Sequence, residues 1–329
     1  MIKSLVTGGA GFIGSHVAKH LIDAGHEVYV LDDLSGGFKS NIPDQAHFME
    51  GSILDHQLLE KLFAEQKFDY VYHLAAYAAE GLSHFIKRFN YQNNLTGSVN
   101  LLNESIKNQV KCFVFTSSIA IYGDLPTPMT EEMTPQPEDP YGIAKWAFEQ
   151  ELAVSKKMFG QDYIIFRPHN VYGEGQNISD PYRNVLGIFM KQILEEKPLT
   201  IFGDGSQTRA FSHISEVAPV IAESVNHPAA FGETFNIGSD QTSSVHELAQ
   251  MILEAFDSTL AIEFLPERME VKHAHASHDK LKRFFKIPKE CKLEEGIKKM
   301  AHWAKKQGLK AGKKFDEIEI YKNLPSSWK

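Results

Sequence analysis

The stretch Val6-Thr7-Gly8-Gly9-Ala10-Gly11-Phe12-Ile13-Gly14-Ser15-His16 decides how the chain is read. The apolar run from Ile2 to Val6 ahead of it reads as a short buried strand. Behind it, Phe12, Ile13, Val17, Leu21 and Ile22 recur at helical spacing. Three glycines therefore stand at a strand-to-helix turn. Gly8 permits the tight turn, Gly11 lets backbone approach a pyrophosphate, and Gly14 lets the helix lie close to the strand. The helix start adds unpaired N–H groups and the positive end of a dipole. A second apolar run, Glu27-Val28-Tyr29-Val30-Leu31, ends at Asp32-Asp33, about two dozen residues after Gly8. An acid at that place bonds an adenosine ribose. The stretch predicts a dinucleotide site.

The pattern continues outward from there. Ala46 to Glu50 reads as a weak third strand, Asp55 to Gln66 as a helix, and Tyr70 to Leu74 as a fourth strand. A long helix is expected around Phe89 to Lys107, with Leu95, Val99, Leu102 and Ile106 on its apolar side. Cys112 to Thr116 is a fifth strand. A Pro-rich loop, Leu125 to Pro140, leads to a helix near Tyr141, and Tyr163 to Phe166 is a sixth strand. Alternating strands and helices predict an α/β fold, a doubly wound parallel sheet of the Rossmann type. After Arg167-Pro168 the pattern loosens, and Gly, Asn, Asp and Pro crowd the stretch from Gly173 to Pro181. That later chain reads as a smaller substrate-binding part interleaved with the sheet, since no linker separates the two.

Composition narrows the classes. The chain has 329 residues, 43% hydrophobic and 23% charged, which suits a soluble globular protein with a full core. A formal net charge of -8 argues against nucleic acid as a partner. The lysine-rich stretch from Lys298 to Lys314 reads as a solvated helix face. Cys112 lies in an apolar strand and Cys291 in a charged region, with no disulfide or metal spacing, so a reducing, cytoplasmic setting is expected. No signal peptide or membrane-length apolar run is visible. His273, His275 and His278 have no ligand-spaced Cys or carboxylate beside them, so no metal is expected.

In open parallel sheets, ligands bind beyond the carboxyl ends of the strands. Three polar groups fall at such ends. His73-Leu74-Ala75-Ala76 offers small residues beside a cofactor. Thr116-Ser117-Ser118 places three hydroxyls where a buried strand stops. Tyr141 and Lys145 share one helix face, four residues apart. A free phenol has a pKa near 10, and a neighbouring ammonium favours the phenolate and lowers it.

These motifs, in this order, resemble an extended short-chain dehydrogenase/reductase of the nucleotide-sugar epimerase/dehydratase family. The resemblance runs from Lys3 to roughly Lys282. It also takes in Asn94 in Asn-Leu-Thr-Gly-Ser, Asn170 in Arg-Pro-His-Asn-Val-Tyr-Gly, Arg209 in Phe-Gly-Asp-Gly-Ser-Gln-Thr-Arg, and Arg268 in Arg-Met-Glu-Val. It implies an NAD-binding part over residues 1–168, joined by parts of the later chain, and a nucleotide-sugar part mainly over 169–329. It implies NAD held by Gly8, Gly11, Phe12, Ile13, Gly14, Asp32, Asp33, Ser52, Ile53, Leu74, Ala75, Ala76, Asn94, Thr116, Tyr141 and Lys145. Tyr141 would be the general base, Lys145 its electrostatic partner, and Ser118 the residue that bonds the reacting hydroxyl. Asn170, Asn184, Val185, Thr200, Phe202, Arg209 and Arg268 would hold a nucleotide diphosphate and its base, UDP by expectation. Ala274 would border the sugar's carbon 2 group and leave room for an N-acetyl substituent, although a register shift of one would put His273 or His275 there. A homodimer is expected on the same ground.

The sequence departs from the family pattern at Ser52, His169 and Ala210, the last two near the expected sugar nucleotide. The resemblance implies epimerisation at carbon 4 of a nucleotide-linked hexose. A 4,6-dehydratase would carry an Asp-Glu pair where Ile119-Ala120 stand, and these cannot do acid–base work. An NADPH-dependent reductase would need a cation, not an acid, near Asp32. A non-catalytic dinucleotide sensor would have no use for the Tyr141/Lys145 pair.

Overall fold

Glycine turn, strand and helix recur in the computed structural model, which describes residues 1–182, 184–267, 271–310, 315, 317–325 and 328. Among these residues, a seven-stranded sheet takes β1 (Lys3–Thr7), β2 (Glu27–Asp32), β3 (His47–Glu50), β4 (Tyr70–His73), β5 (Cys112–Thr116), β6 (Tyr163–Pro168) and β7 (Glu233–Ile237). Their order is β7-β6-β5-β4-β1-β2-β3, and every neighbouring pair is parallel. The order reverses between β1 and β4, and there the strand ends leave a crevice.

Alternation along the strands feeds two cores. Val6, Val28, Tyr72, Val114 and Phe166 face one way, onto Val17 and Leu21 of the helix Phe12–Asp23 and Val217 and Ile221 of the helix Ile214–Glu223. Leu5, Leu31, Val71, Phe113 and Ile165 face the other way, onto Leu59, Leu101, Phe148 and Leu152 from three further helices. Strands buried on both faces read as continuous apolar runs, which is why they were legible. A third core joins Phe189, Leu248, Ile252, Ile297 and Met300 in the later chain.

One feature differs from the expectation. The long helix after β4 is Lys87–Tyr91 and Gly97–Lys107, joined through a wide π-type turn at Gln92–Thr96 where Asn94 turns inward. The later chain also returns a strand, β7, to the sheet. It pairs with β6 in the register Phe235↔Phe166, so the sheet ends on a strand the first half does not contain.

A buried ion pair ties these pieces. Arg167 at the end of β6 donates from Nε to Glu149 Oε1 at 3.0 Å and from Nη2 to Oε2 at 2.6 Å. Its Nη1 donates to the Tyr122 hydroxyl, which donates to Asn236 Oδ1 in β7. Both charged side chains are at most 5% exposed. Removing one partner strands the other charge in the core, so Glu149→Ala should destabilise the protein by about 3–5 kcal/mol in denaturant unfolding. A loss below about 1 kcal/mol would show that the pair is not a structural tie.

Candidate active site

The crevice opens into a cavity of about 1790 Å³. The glycine turn forms one wall. Gly8 has φ +72°, and a Cβ there would lie 2.6 Å from the Ala75 backbone nitrogen. A Cβ at Gly14 would run into the Gly8 carbonyl, so the helix can lie this close only with glycine there. The helix starts at Phe12 with no side-chain cap on Gly11, which leaves its first N–H groups to a ligand. Asp32 accepts from the N–H of Ala10 at 3.0 Å and of Leu34 at 2.8 Å, so it also fastens the turn. Burial raises its carboxyl pKa, against those two hydrogen bonds. Asp33, Ser52, Ile53, Leu74, Ala75 and Ala76 line the same wall with Gly8, Gly11, Phe12, Ile13 and Gly14.

Asn94 stands apart. Its amide accepts from the Tyr77 N–H and donates to the Tyr77 carbonyl and to Asn90, so it braces the wall from behind and does not line the cavity. His73 is likewise a core residue, held between Thr7 and Ser98, and burial keeps its pKa well below the usual value.

The residues fit a bound NAD. The turn has no room for side chains, the opposite strand end offers Ala75-Ala76, and Thr116 Oγ1 and Ser117 Oγ are buried without a hydrogen-bond partner among the described residues.

The candidate reaction centre sits at the end of β5 and the start of the helix Pro140–Phe159. That helix starts sharply: Asp139 caps it by accepting from the Gly142 N–H at 2.9 Å, and Pro140 occupies the first turn. A Cβ at Gly142 would lie 2.6 Å from the Ala120 carbonyl, so glycine brings Tyr141 against the Ser118 turn. Lys145 Nζ lies 5.7 Å from the Tyr141 ring centroid and donates to the Thr116 carbonyl at 2.9 Å. Burial holds its pKa down to about 7, with Glu149 pulling upward. Ser118 Oγ accepts from the Ala120 N–H, which leaves the hydroxyl proton to donate elsewhere. Ser118, Tyr141 and Lys145 face one cavity with Thr116.

The other end belongs to the later chain. Asn170, Asn184, Val185, Thr200, Phe202, Arg209 and Ala274 all line it. Asn184 caps the helix Val185–Leu194 and donates to the Val171 carbonyl, so its side chain shapes the wall. Arg209 donates to the carbonyls of Thr208, Val271 and Lys272. Arg268 lies outside the described residues, as do Lys313 and Lys314.

Sequence reading missed several wall residues. Asn41 donates to the Ala10 and Gly175 carbonyls and joins the two halves behind the glycine turn; Gly36-Gly37 was the available signal. Tyr77, Gly81, Phe85, Tyr182 and Trp328 carried none, because they meet only in the fold. His278 is buried. It bridges Asp240 at 2.6 Å and His169 at 2.9 Å, and His169 lines the cavity with its pKa lowered by burial to about 3. Among the described residues, no group of three His, Cys, Asp or Glu is placed to hold a metal, and no helix is long and apolar enough to cross a membrane.

Lys145 has a folded pKa of about 7 against an ordinary 10.5, so its charge costs folding free energy. The cost is complete below about pH 7 and shrinks as pH climbs towards the unfolded value. Lys145→Met should therefore stabilise the NAD-free protein by about 1–4 kcal/mol near neutral pH, with the gain narrowing towards pH 10. Equal stability of the two proteins, or a gain that ignores pH, would contradict this reading of the site.

With this geometry in view, comparison with known proteins is specific. The NAD dependent epimerase/dehydratase family matches residues 4–238. The chain is 32% identical over 308 residues to a UDP-glucose 4-epimerase of Mycolicibacterium smegmatis, covering 91% of this chain and 97% of that one. It is 28% identical to a UDP-N-acetyl-alpha-D-glucosaminuronate decarboxylase of Bacillus cytotoxicus, with 92% and 97% covered. A solved UDP-glucose 4-epimerase of Thermotoga maritima with UDP-glucose superposes at a TM-score of 0.89, with 35% identity over 93% of this chain and 99% of that one. The chain belongs to the NAD dependent epimerase/dehydratase family and is an NAD-dependent enzyme of its nucleotide-sugar epimerase type.

Proposed function

We propose that the enzyme epimerises carbon 4 of a UDP-linked hexose through a transient 4-keto sugar. One observation carries the reading: Ser118, Tyr141 and Lys145 converge on one cavity while apolar Ile119 and Ala120 follow Ser118. Loss of water from carbon 6 would need an acid–base pair at those two places. The likeness to UDP-glucose 4-epimerases supports the substrate class. Relatives that decarboxylate and dehydrate show that the fold alone does not choose the reaction.

Bound NAD would supply the two-electron oxidant for carbon 4 and then the matching reductant. The chain's own residues handle the proton and the geometry. Tyr141 takes the proton of the carbon 4 hydroxyl, and the Lys145 ammonium over its ring favours the phenolate. Ser118 turns its hydroxyl proton to the sugar oxygen, since Ala120 already occupies its acceptor side. Asp32 repels a 2′-phosphate and so favours NAD over NADP. Asn170 and Arg209 face the diphosphate end, and Ala274 beside them leaves plain and N-acetylated hexoses both within the class. The proposal carries with it a cytoplasmic homodimer, supported by the family resemblance and, for the compartment, by two unpaired cysteines.

The test is interconversion of UDP-glucose and UDP-galactose, and of their N-acetylated counterparts, by the parent and Tyr141→Phe. On any sugar the parent turns over, the variant should lose about 100- to 10,000-fold in kcat with its fold intact. A variant within a few-fold of the parent would remove Tyr141 from the role of base. A parent that converts none of the four sugars would overturn the proposed substrate class.

A further inference from the structure

Beyond the helix Leu293–Gln307, Phe315, residues 317–325 and Trp328 lie against one wall of the cavity. Phe315 stacks on Tyr77, with ring centroids 4.9 Å apart and planes 22° apart, and meets Phe89 edge-on at 4.9 Å. Trp328 meets Tyr182 edge-on at 5.4 Å and Phe85 at 6.2 Å. The Glu319 carboxylate accepts from the N–H groups of Arg88 and Phe89 at 3.0 and 2.9 Å. The N–H groups of Glu319 and Ile320 both donate to the Phe85 carbonyl. The segment is thus fastened by backbone hydrogen bonds as well as by rings.

What it joins gives it meaning. Tyr77 to Phe89 follow β4 on the cofactor side, and Tyr182 stands two residues before Asn184 on the other side. The first wall is bonded to the reaction centre. The Tyr141 N–H donates to Ser83 Oγ at 3.3 Å, and Asn90 Nδ2 donates to the Pro140 carbonyl at 2.8 Å. The segment therefore links the wall that braces Tyr141 to the stretch that carries Tyr182. A sugar whose diphosphate lies near Asn184 and Arg209, and whose hydroxyl reaches Tyr141, would share one cavity with the segment. Ile320, Asn323, Pro325 and Trp328 line the cavity there.

We propose that residues 317–325 and Trp328, docked through Phe315, form the outer wall of the sugar subsite, with Trp328 and Asn323 as the residues that set sugar affinity. An indole offers flat apolar surface to the C–H groups of a neutral hexose, and an amide offers hydrogen bonds to its hydroxyls. Glu319 is a positioning residue that docks the wall. The inference rests on the reading that this cavity takes a UDP-linked hexose.

The test is calorimetric titration of the full-length, NAD-loaded protein with UDP-glucose and, separately, with UDP. Trp328→Ala removes a lining ring, and Glu319→Ala undocks the segment without removing one. Each should weaken UDP-glucose by about tenfold. Each should leave UDP within about twofold and the thermal midpoint unmoved. Two variants that bind UDP-glucose like the parent would overturn the wall. Equal loss for UDP and UDP-glucose would overturn its assignment to the sugar. A parent that binds UDP but gains nothing from the glucose would instead overturn the sugar reading beneath it.

Discussion

The structure depends on a close approach of bare backbone. Gly8, at φ +72°, passes against Ala75 after β4, and Gly14 presses the first helix onto the Gly8 carbonyl. The Asp32 carboxylate then holds Ala10 from the end of β2. Three strands that are distant in sequence are thereby locked around one turn. The helix N-terminus is left uncapped at the point where the strand order reverses, which is where an open sheet binds its ligands. The candidate catalytic residues lie outward from that fixed edge, Ser118 just after β5 and Tyr141 and Lys145 on the helix Pro140–Phe159.

The reaction centre is held at a cost in stability. Lys145 is 2% exposed, and its ammonium is buried beside Phe115 and Tyr141 with the Thr116 carbonyl as its hydrogen-bond partner. Thr116 and Ser117 add two buried hydroxyls with no partner among the described residues. A fold selected for stability alone would not keep such groups together. The Glu149–Arg167 pair, bonded on to Tyr122 and Asn236, braces this region with paired charge. Charge is paired where it supports the fold and left under-satisfied where it meets the ligand.

The sheet was legible because its signals are local. Apolar runs of four to six residues, helical periodicity and glycine at a turn all act within one element. The Tyr141/Lys145 pair was legible for the same reason, since helical spacing alone puts both on one face. Asn94 shows where this stops. Its place in the motif suggested a cofactor contact, yet the direction of its side chain is decided by the Tyr77 backbone seventeen positions away. β7, the His169–His278–Asp240 chain and the residues around Trp328 depend on contacts between segments far apart in sequence. No periodicity encodes such meetings.

The central claim is that one hydrogen leaves carbon 4 of the sugar and returns to its other face without reaching water. UDP-glucose labelled with deuterium at carbon 4 tests it most directly, with the product followed by NMR and mass spectrometry. The account predicts UDP-galactose that keeps its deuterium at carbon 4. Washout of the label, or a product lighter by one water, would contradict it.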